Sequence, residues 1–207
     1  MCFNIFNNNL PASYFYQSAE DEKVMEKMEA LAEYPKFILF YDEEDPDTEW
    51  LGNFYPITVE IDGRSYPSSE SAFQAQKFIH HPDLMDEFTN LSGEEAFYMA
   101  RKNKTQIRND WRKVNDIVMQ MVLRAKLEQN PSIATWLEAT GDAHLVEHNP
   151  KKGRDAYWSD NHDGTGKNKL GHLWMELRAE MRNEPVSSSE EGKENYLKYV
   201  ERHIQNF

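Results

Sequence analysis

Apolar positions recur with a helical period over most of the second half of the chain. From residue 110 to 129, Trp111, Val114, Val118, Met121, Val122 and Ala125 fall on one stripe, which predicts a long core helix. Ser92 followed by Glu95 predicts a capped helix running to about Asn103. Pro131 suits the first turn of another, to about Ala139, and the period returns over 170–181. Nearer the start, Val24, Met25, Met28 and Leu31 predict a helix over 18–33. Strand signals are few. Residues 36–41 read as a short buried strand. Residues 57–61 alternate before Asp62-Gly63, a hairpin turn that leads into Arg64-Ser65-Tyr66. The expected fold is mainly α (α+β): multihelical, with a small antiparallel hairpin in the N-terminal part.

Between hairpin and long helix lies SSESAFQAQKF, residues 68–78. Pro67 precedes it, and the hydroxyls of Ser68 and Ser69 can cap a helix expected over 68–80. At about 100° per residue, Ala72, Ala75 and Ile79 share one side. Glu70, Gln74 and Lys77 share the other, flanked by Phe73 and Phe78. A carboxylate, an amide and an amine thus point one way between aromatic rings. The same spacing also fits a partly exposed helix with a routine Glu–Lys stripe.

Composition narrows the class. At 207 residues with 39% hydrophobic content, the chain can bury one core. The expected organisation is an arm over 1–35, a compact domain over 36–183 and a charged tail over 184–207, with a short helix near 190–204. No run approaches the length of a membrane span, and MCFNIFNNNL does not read as a signal peptide. The single cysteine, Cys2, fits a reducing compartment: the cytoplasm first, with the nucleus left open. A net charge of -13 argues against loose electrostatic binding along nucleic acid. Yet basic residues gather between Arg101 and Lys113.

Three constellations carry candidate chemistry. The first is Glu70/Gln74/Lys77. The second is Arg108-Asn109-Asp110-Trp111, where an indole can stack on a base while arginine holds phosphate; alternatively Asp110 caps a helix and Trp111 is core. The third lies in the long, aperiodic segment 142–166: Tyr157 and Trp158 beside Asp160 and Asp163, then Gly164 and Gly166. It fits a ligand loop, or a well-packed surface loop. Residues 163–168 lack P-loop spacing, the calcium-loop start at Ser159 meets Leu170 instead of Glu, and the histidines form no HExxH. No metal and no cofactor is expected.

Taken together, GNFYP (52–56), YPSSE (66–70), FQAQKF (73–78), RNDW (108–111), LVE (145–147), YW (157–158) and DGTGKNKLG (163–171) resemble the NADAR superfamily, also called the YbiA-like family. The resemblance covers about 37–182. It implies a mostly helical fold and N-glycosidase chemistry on ribosides: removal of ADP-ribose from guanine in one branch, cleavage of early riboflavin-pathway intermediates in another. Ser159 stands where glycine commonly follows Tyr-Trp, and Gly52 where serine is common. On this reading Glu70 is the carboxylate near C1′ or the ribose hydroxyls. Lys77 either tunes Glu70 or attacks C1′, and Asp160 or Asp163 positions water. Trp111 and Trp158 stack on the base or adenine, Arg108 holds phosphate, and Asn53 and Gln74 bond ribose or base. Phe54, Tyr157, Gly164 and Asn168 complete the expected substrate contacts. The expected partner is an ADP-ribose-containing nucleotide or ADP-ribosylated nucleic acid, with no membrane. Two other classes compete: a module that binds ADP-ribose without cleaving it, and a scaffold working through its acidic ends.

Overall fold

The computed structural model describes residues 23–29, 36–41, 45–186 and 190–204. Among the described residues the chain is mainly helical, with two two-stranded sheets. In order come β1 (Phe37–Phe40), β2 (Pro56–Ile61), β3 (Arg64–Ser68), α1 (Ser69–Ala75), α2 (Pro82–Glu87), α3 (Gly93–Lys102), α4 (Trp111–Gln129), α5 (Pro131–Ala139), β4 (His144–Glu147), α6 (Lys169–Arg182) and α7 (Glu190–His203). Residues 23–29 are also helical, and Val24 and Met28 rest on the core. Leu31 and the arm before residue 23 lie outside the described residues. No helix among them is long and apolar enough to cross a membrane.

The hairpin forms where expected. Asp62 and Gly63 both take positive φ (51° and 74°), the turn geometry that matches strand twist, and Ile61 pairs with Arg64. The capping box at α3 is also present: the Ser92 N–H donates to Glu95 Oε2 at 2.8 Å, and the Glu95 N–H to Ser92 Oγ at 3.3 Å. α4 is the central helix. Trp50, Trp136 and Trp174 cluster beside it, ring centroids about 6 Å apart.

Three expectations need correction. Met121 is 39% exposed; α4 instead buries Val118, Met119, Val122, Leu123 and Leu127. Phe78 does not flank the polar stripe but is fully buried and stacked on Phe88 at 5.4 Å. The reason is local: after Ala75 the chain tightens into a 3₁₀ turn over Gln76–Phe78, so an α-helical projection fails there. Third, 142–166 is not all loop. Residues 144–147 form β4, which pairs in parallel with β1 in the register Phe37↔His144. The tail helix α7 packs on this sheet, with Tyr196 and Val200 buried against Val146.

Candidate active site

The Ser68 side chain caps α1 by accepting the Ser71 N–H, and every residue of α1 is buried. Glu70 and Gln74 are therefore placed by the core rather than by solvent, at 5% and 4% exposure. One turn apart, they meet: Gln74 Nε2 donates to Glu70 Oε1 at 2.6 Å. Lys77 follows in the 3₁₀ turn, where residues three apart eclipse, and its Nζ donates to Gln74 Oε1 at 2.5 Å. The amide thus links amine and carboxylate. Burial lowers the Lys77 pKa below its ordinary value, opposed by the Glu70 charge.

Aromatic rings wall this chain of groups. Lys77 Nζ sits 5.5 Å from the Phe73 ring centre and 5.3 Å from that of Trp111. Phe73 touches Trp111 (5.0 Å) and meets Trp158 edge-on (5.6 Å). Three segments distant in sequence, α1, the start of α4 and the 148–168 loop, therefore converge on Phe73, with Lys77 over the Phe73 and Trp111 rings. Trp111 is half-buried at the edge of the core, so its two readings are compatible. Asp155 Oδ1 accepts the N–H groups of Tyr157 and Trp158, which fixes the turn that presents Trp158. Tyr157 lies against Trp158 and donates its hydroxyl to Asp116 at 2.7 Å.

Asn53 and Phe54 approach from the other side. The Asn53 carbonyl accepts the Glu70 N–H at 2.8 Å. Its buried Oδ1 has no hydrogen-bond partner among the described residues. Phe54 packs against Gly93, the first residue of α3.

Arg108 lines an open cleft of about 360 Å³ with His80, His81 and Asn109. Lys77 does not line this cleft; it is joined to it through the backbone, its carbonyl accepting the Arg108 N–H at 2.9 Å. Its guanidinium already holds Asp110 through two bonds of 2.6 and 2.7 Å, so a phosphate there must share it. This also explains why Asp110 makes no side-chain cap to α4.

The loop acids are engaged within the loop and its neighbours. Asp160 Oδ1 accepts the N–H groups of Asn149 and His162, and Oδ2 contacts His148 Nδ1 at 2.6 Å and the Tyr196 hydroxyl at 2.7 Å. Asp163 contacts Lys152 and Thr165, and these hydrogen bonds hold its carboxyl down to about 2. Gly164 packs near Tyr196 and Val200. Asn168 spends its amide on β4, donating to the Leu145 carbonyl and accepting the Glu147 N–H. These four residues shape the loop.

Two positioning residues were not foreseen. Lys126 is fully buried and donates to the carbonyls of Trp50 (2.6 Å) and Gly52 (2.9 Å), pinning the segment that carries Asn53. Its sequence signal is an amine on the Val118–Val122 stripe. Gly93 is the other; its only sequence signal is a glycine opening a capped helix.

Comparison with known proteins gives a consistent picture. The NADAR domain model matches residues 39–182. The chain is 40% identical over 145 residues to the N-glycosidase YbiA of Escherichia coli (strain K12), covering 70% of this chain and 88% of that protein. It is 38% identical over 146 residues to a riboflavin biosynthesis protein of Vibrio vulnificus, covering 69% of this chain and 38% of that one. The NMR structure of E. coli YbiA superposes with a TM-score of 0.62 at 38% identity, over 71% of this chain and 85% of that one.

Proposed function

Because the chain belongs to the NADAR domain family, we propose that it is an N-glycosidase that hydrolyses the C1′–N bond of a riboside. The observation that carries this reading is the Glu70–Gln74–Lys77 hydrogen-bonded chain, with Phe73 and Trp111 beside the Lys77 amine and Trp158 packed edge-on against Phe73. Cleavage of this bond builds positive charge on the sugar. Glu70 supplies a fixed carboxylate beside C1′ or the ribose hydroxyls, where low local polarity strengthens its effect. Trp111 and Trp158 hold the flat base, and Asn53 accepts a hydrogen bond from ribose or base.

Lys77 has two roles open to it. As a nucleophile, its neutral amine attacks C1′; the C1′–N bond breaks, and its electron pair leaves with the base, which takes up a proton. The ribosyl amine then opens to an imine that water hydrolyses, releasing the sugar and restoring the amine. Otherwise Lys77 tunes Glu70 through Gln74, and water attacks C1′ directly.

For the substrate we favour ADP-ribose attached to guanine, in nucleic acid or as a nucleotide. The cleft walled by Arg108, His80 and His81 supports a place for the anionic phosphates, which would share Arg108 with Asp110 on the same wall. A second reading is favoured by the names of the relatives: a glycosidase acting on a riboflavin-pathway intermediate. Incubating the protein with ADP-ribosyl guanosine, NAD and riboflavin intermediates, with products separated by mass, decides between them. Binding of ADP-ribose without release of base from any of them would make the protein a binding module instead.

A further inference from the structure

We propose that the C-terminal helix α7, which lies beyond the residues matched by the family model, is a built-in support of the site, and that Tyr196 is its positioning residue. Through Asp160 it holds the 148–168 loop so that Trp158 stays against Phe73.

The helix is seated closely. A Cβ on Gly192 would lie 1.9 Å from the Lys36 carbonyl oxygen and 3.2 Å from the His144 nitrogen, so the first turn of α7 rests directly on the starts of β1 and β4. Further along, Tyr196 and Tyr199 pack on Phe37, at 6.0 and 5.7 Å between ring centres, and Val200 joins Val146. This docking delivers the Tyr196 hydroxyl, buried, to Asp160 Oδ2 at 2.7 Å.

Asp160 is where the loop is gathered. Besides Tyr196, its carboxylate holds the backbone at Asn149 and His162 and the ring of His148, and its own N–H donates to the Glu147 carbonyl. Those partners belong to the loop or to β4; Tyr196 alone of the five comes from α7. Gly164, at φ +77°, leaves room for the same hydroxyl at 3.4 Å from where a Cβ would stand. Trp158 is two residues before Asp160, and its carbonyl accepts the Leu170 N–H at 3.1 Å. Backbone bonds from Asn168 to the Ser159 carbonyl and from Gly166 to the Asp160 carbonyl remain, so loss of the Tyr196 bond loosens the 159–163 side of the indole without releasing it, while the α6 side stays tied.

The catalytic part of this proposal rests on the reading of the site as a glycosidase; the loop-holding part does not. The test is Tyr196→Phe in the full chain, which keeps the ring and removes the hydroxyl. Hydrogen exchange of the 159–163 amides is expected to speed up by about tenfold, the loss of one hydrogen bond to a charged acceptor. KM for the cleaved riboside is expected to rise by about tenfold, with kcat held within about twofold, because the stacking wall is displaced and the chemical groups are not. Gly192→Ala, which lifts the helix, should reproduce both effects. Lys198→Ala, on the exposed side of α7, should reproduce neither. Wild-type exchange in Tyr196→Phe overturns the proposal, as does an unchanged KM accompanied only by a lower melting temperature. If the wild-type protein cleaves no riboside, the glycosidase reading fails, and the exchange rates still decide whether α7 holds the loop.

Discussion

The Lys77 ammonium group lies 5.3 Å from the centre of the Trp111 ring, although the two residues sit on separate helical segments. The ring face favours the charged form of the amine, while burial favours the neutral one. The Glu70 charge also favours the charged form, but burial outweighs it, and the Lys77 pKa is lowered. A nucleophilic role requires the neutral amine. The rate should therefore fall as pH drops through the lowered Lys77 pKa, and that limb should vanish in Lys77→Met along with most activity. Borohydride reduction during turnover should leave a ribose adduct on Lys77, read by peptide mass. An unmodified peptide at full turnover assigns attack to water instead.

Glu70→Gln keeps the shape of the side chain and removes its charge. Turnover should drop by at least about a hundredfold with little loss of binding, the usual effect of deleting a positioned carboxylate. The variant also disturbs Gln74, whose Nε2 now donates to the Glu70 carboxylate, so Gln74→Leu is the companion measurement. If Glu70→Gln turns over at the wild-type rate, the carboxylate has no part in the chemistry.

Local signals were readable in the chain, and long-range ones were not. Asp62-Gly63 marks the hairpin because few residues tolerate two successive positive φ angles. Ser92 and Glu95 mark a helix start because each satisfies the other's backbone N–H. Glu70, Gln74 and Lys77 share a face as their spacing implied, although by a mixture of α and 3₁₀ geometry. By contrast, β4 is four residues long, three of them buried, so it carries no alternation; only its partner β1, far away in sequence, makes it a strand. Asp160 and Asp163 were expected to position water, and nothing local in the sequence reveals the Tyr196 and Lys152 that engage them. Lys126 broke the rule that lysine is exposed, and only the carbonyls of Trp50 and Gly52 account for it.

Lys126 also gives a signature in stability. Burial brings its pKa from the ordinary 10.5 down to about 7 in the folded protein. Between those two values the unfolded chain binds the extra proton, so folding is favoured more as pH rises. The contribution is fully present above 10.5 and is lost as pH falls to about 7. The neutral amine still has two N–H groups for its two carbonyls. Urea unfolding at a series of pH values should show wild type gaining on Lys126→Met by about 1 kcal/mol per pH unit in that window. A constant gap between the two would mean that Lys126 stays charged in the core.

Gly93→Ala sets two effects against each other. Alanine is the better helix former, by up to about 1 kcal/mol in a helix interior, but Gly93 is the first residue of α3, where that gain is smaller. Against it stands crowding: the new methyl would lie 3.0 Å from Phe54 Cδ1, 3.2 Å from Phe54 Cα and 3.3 Å from Glu70 Cβ. Two of those atoms are backbone or directly attached to it, so relief requires moving α1 or the Asn53–Phe54 segment. Overpacking of this kind costs about 1–3 kcal/mol, so the net change should be a loss of stability. The displaced groups are Glu70 and the neighbour of Asn53, so kcat/KM should fall more than stability alone explains, by about tenfold when measured well below the melting temperature. A stabilised and fully active Gly93→Ala would show that α3 can retreat from Glu70 without consequence, and that close packing at this point does not hold the carboxylate in place.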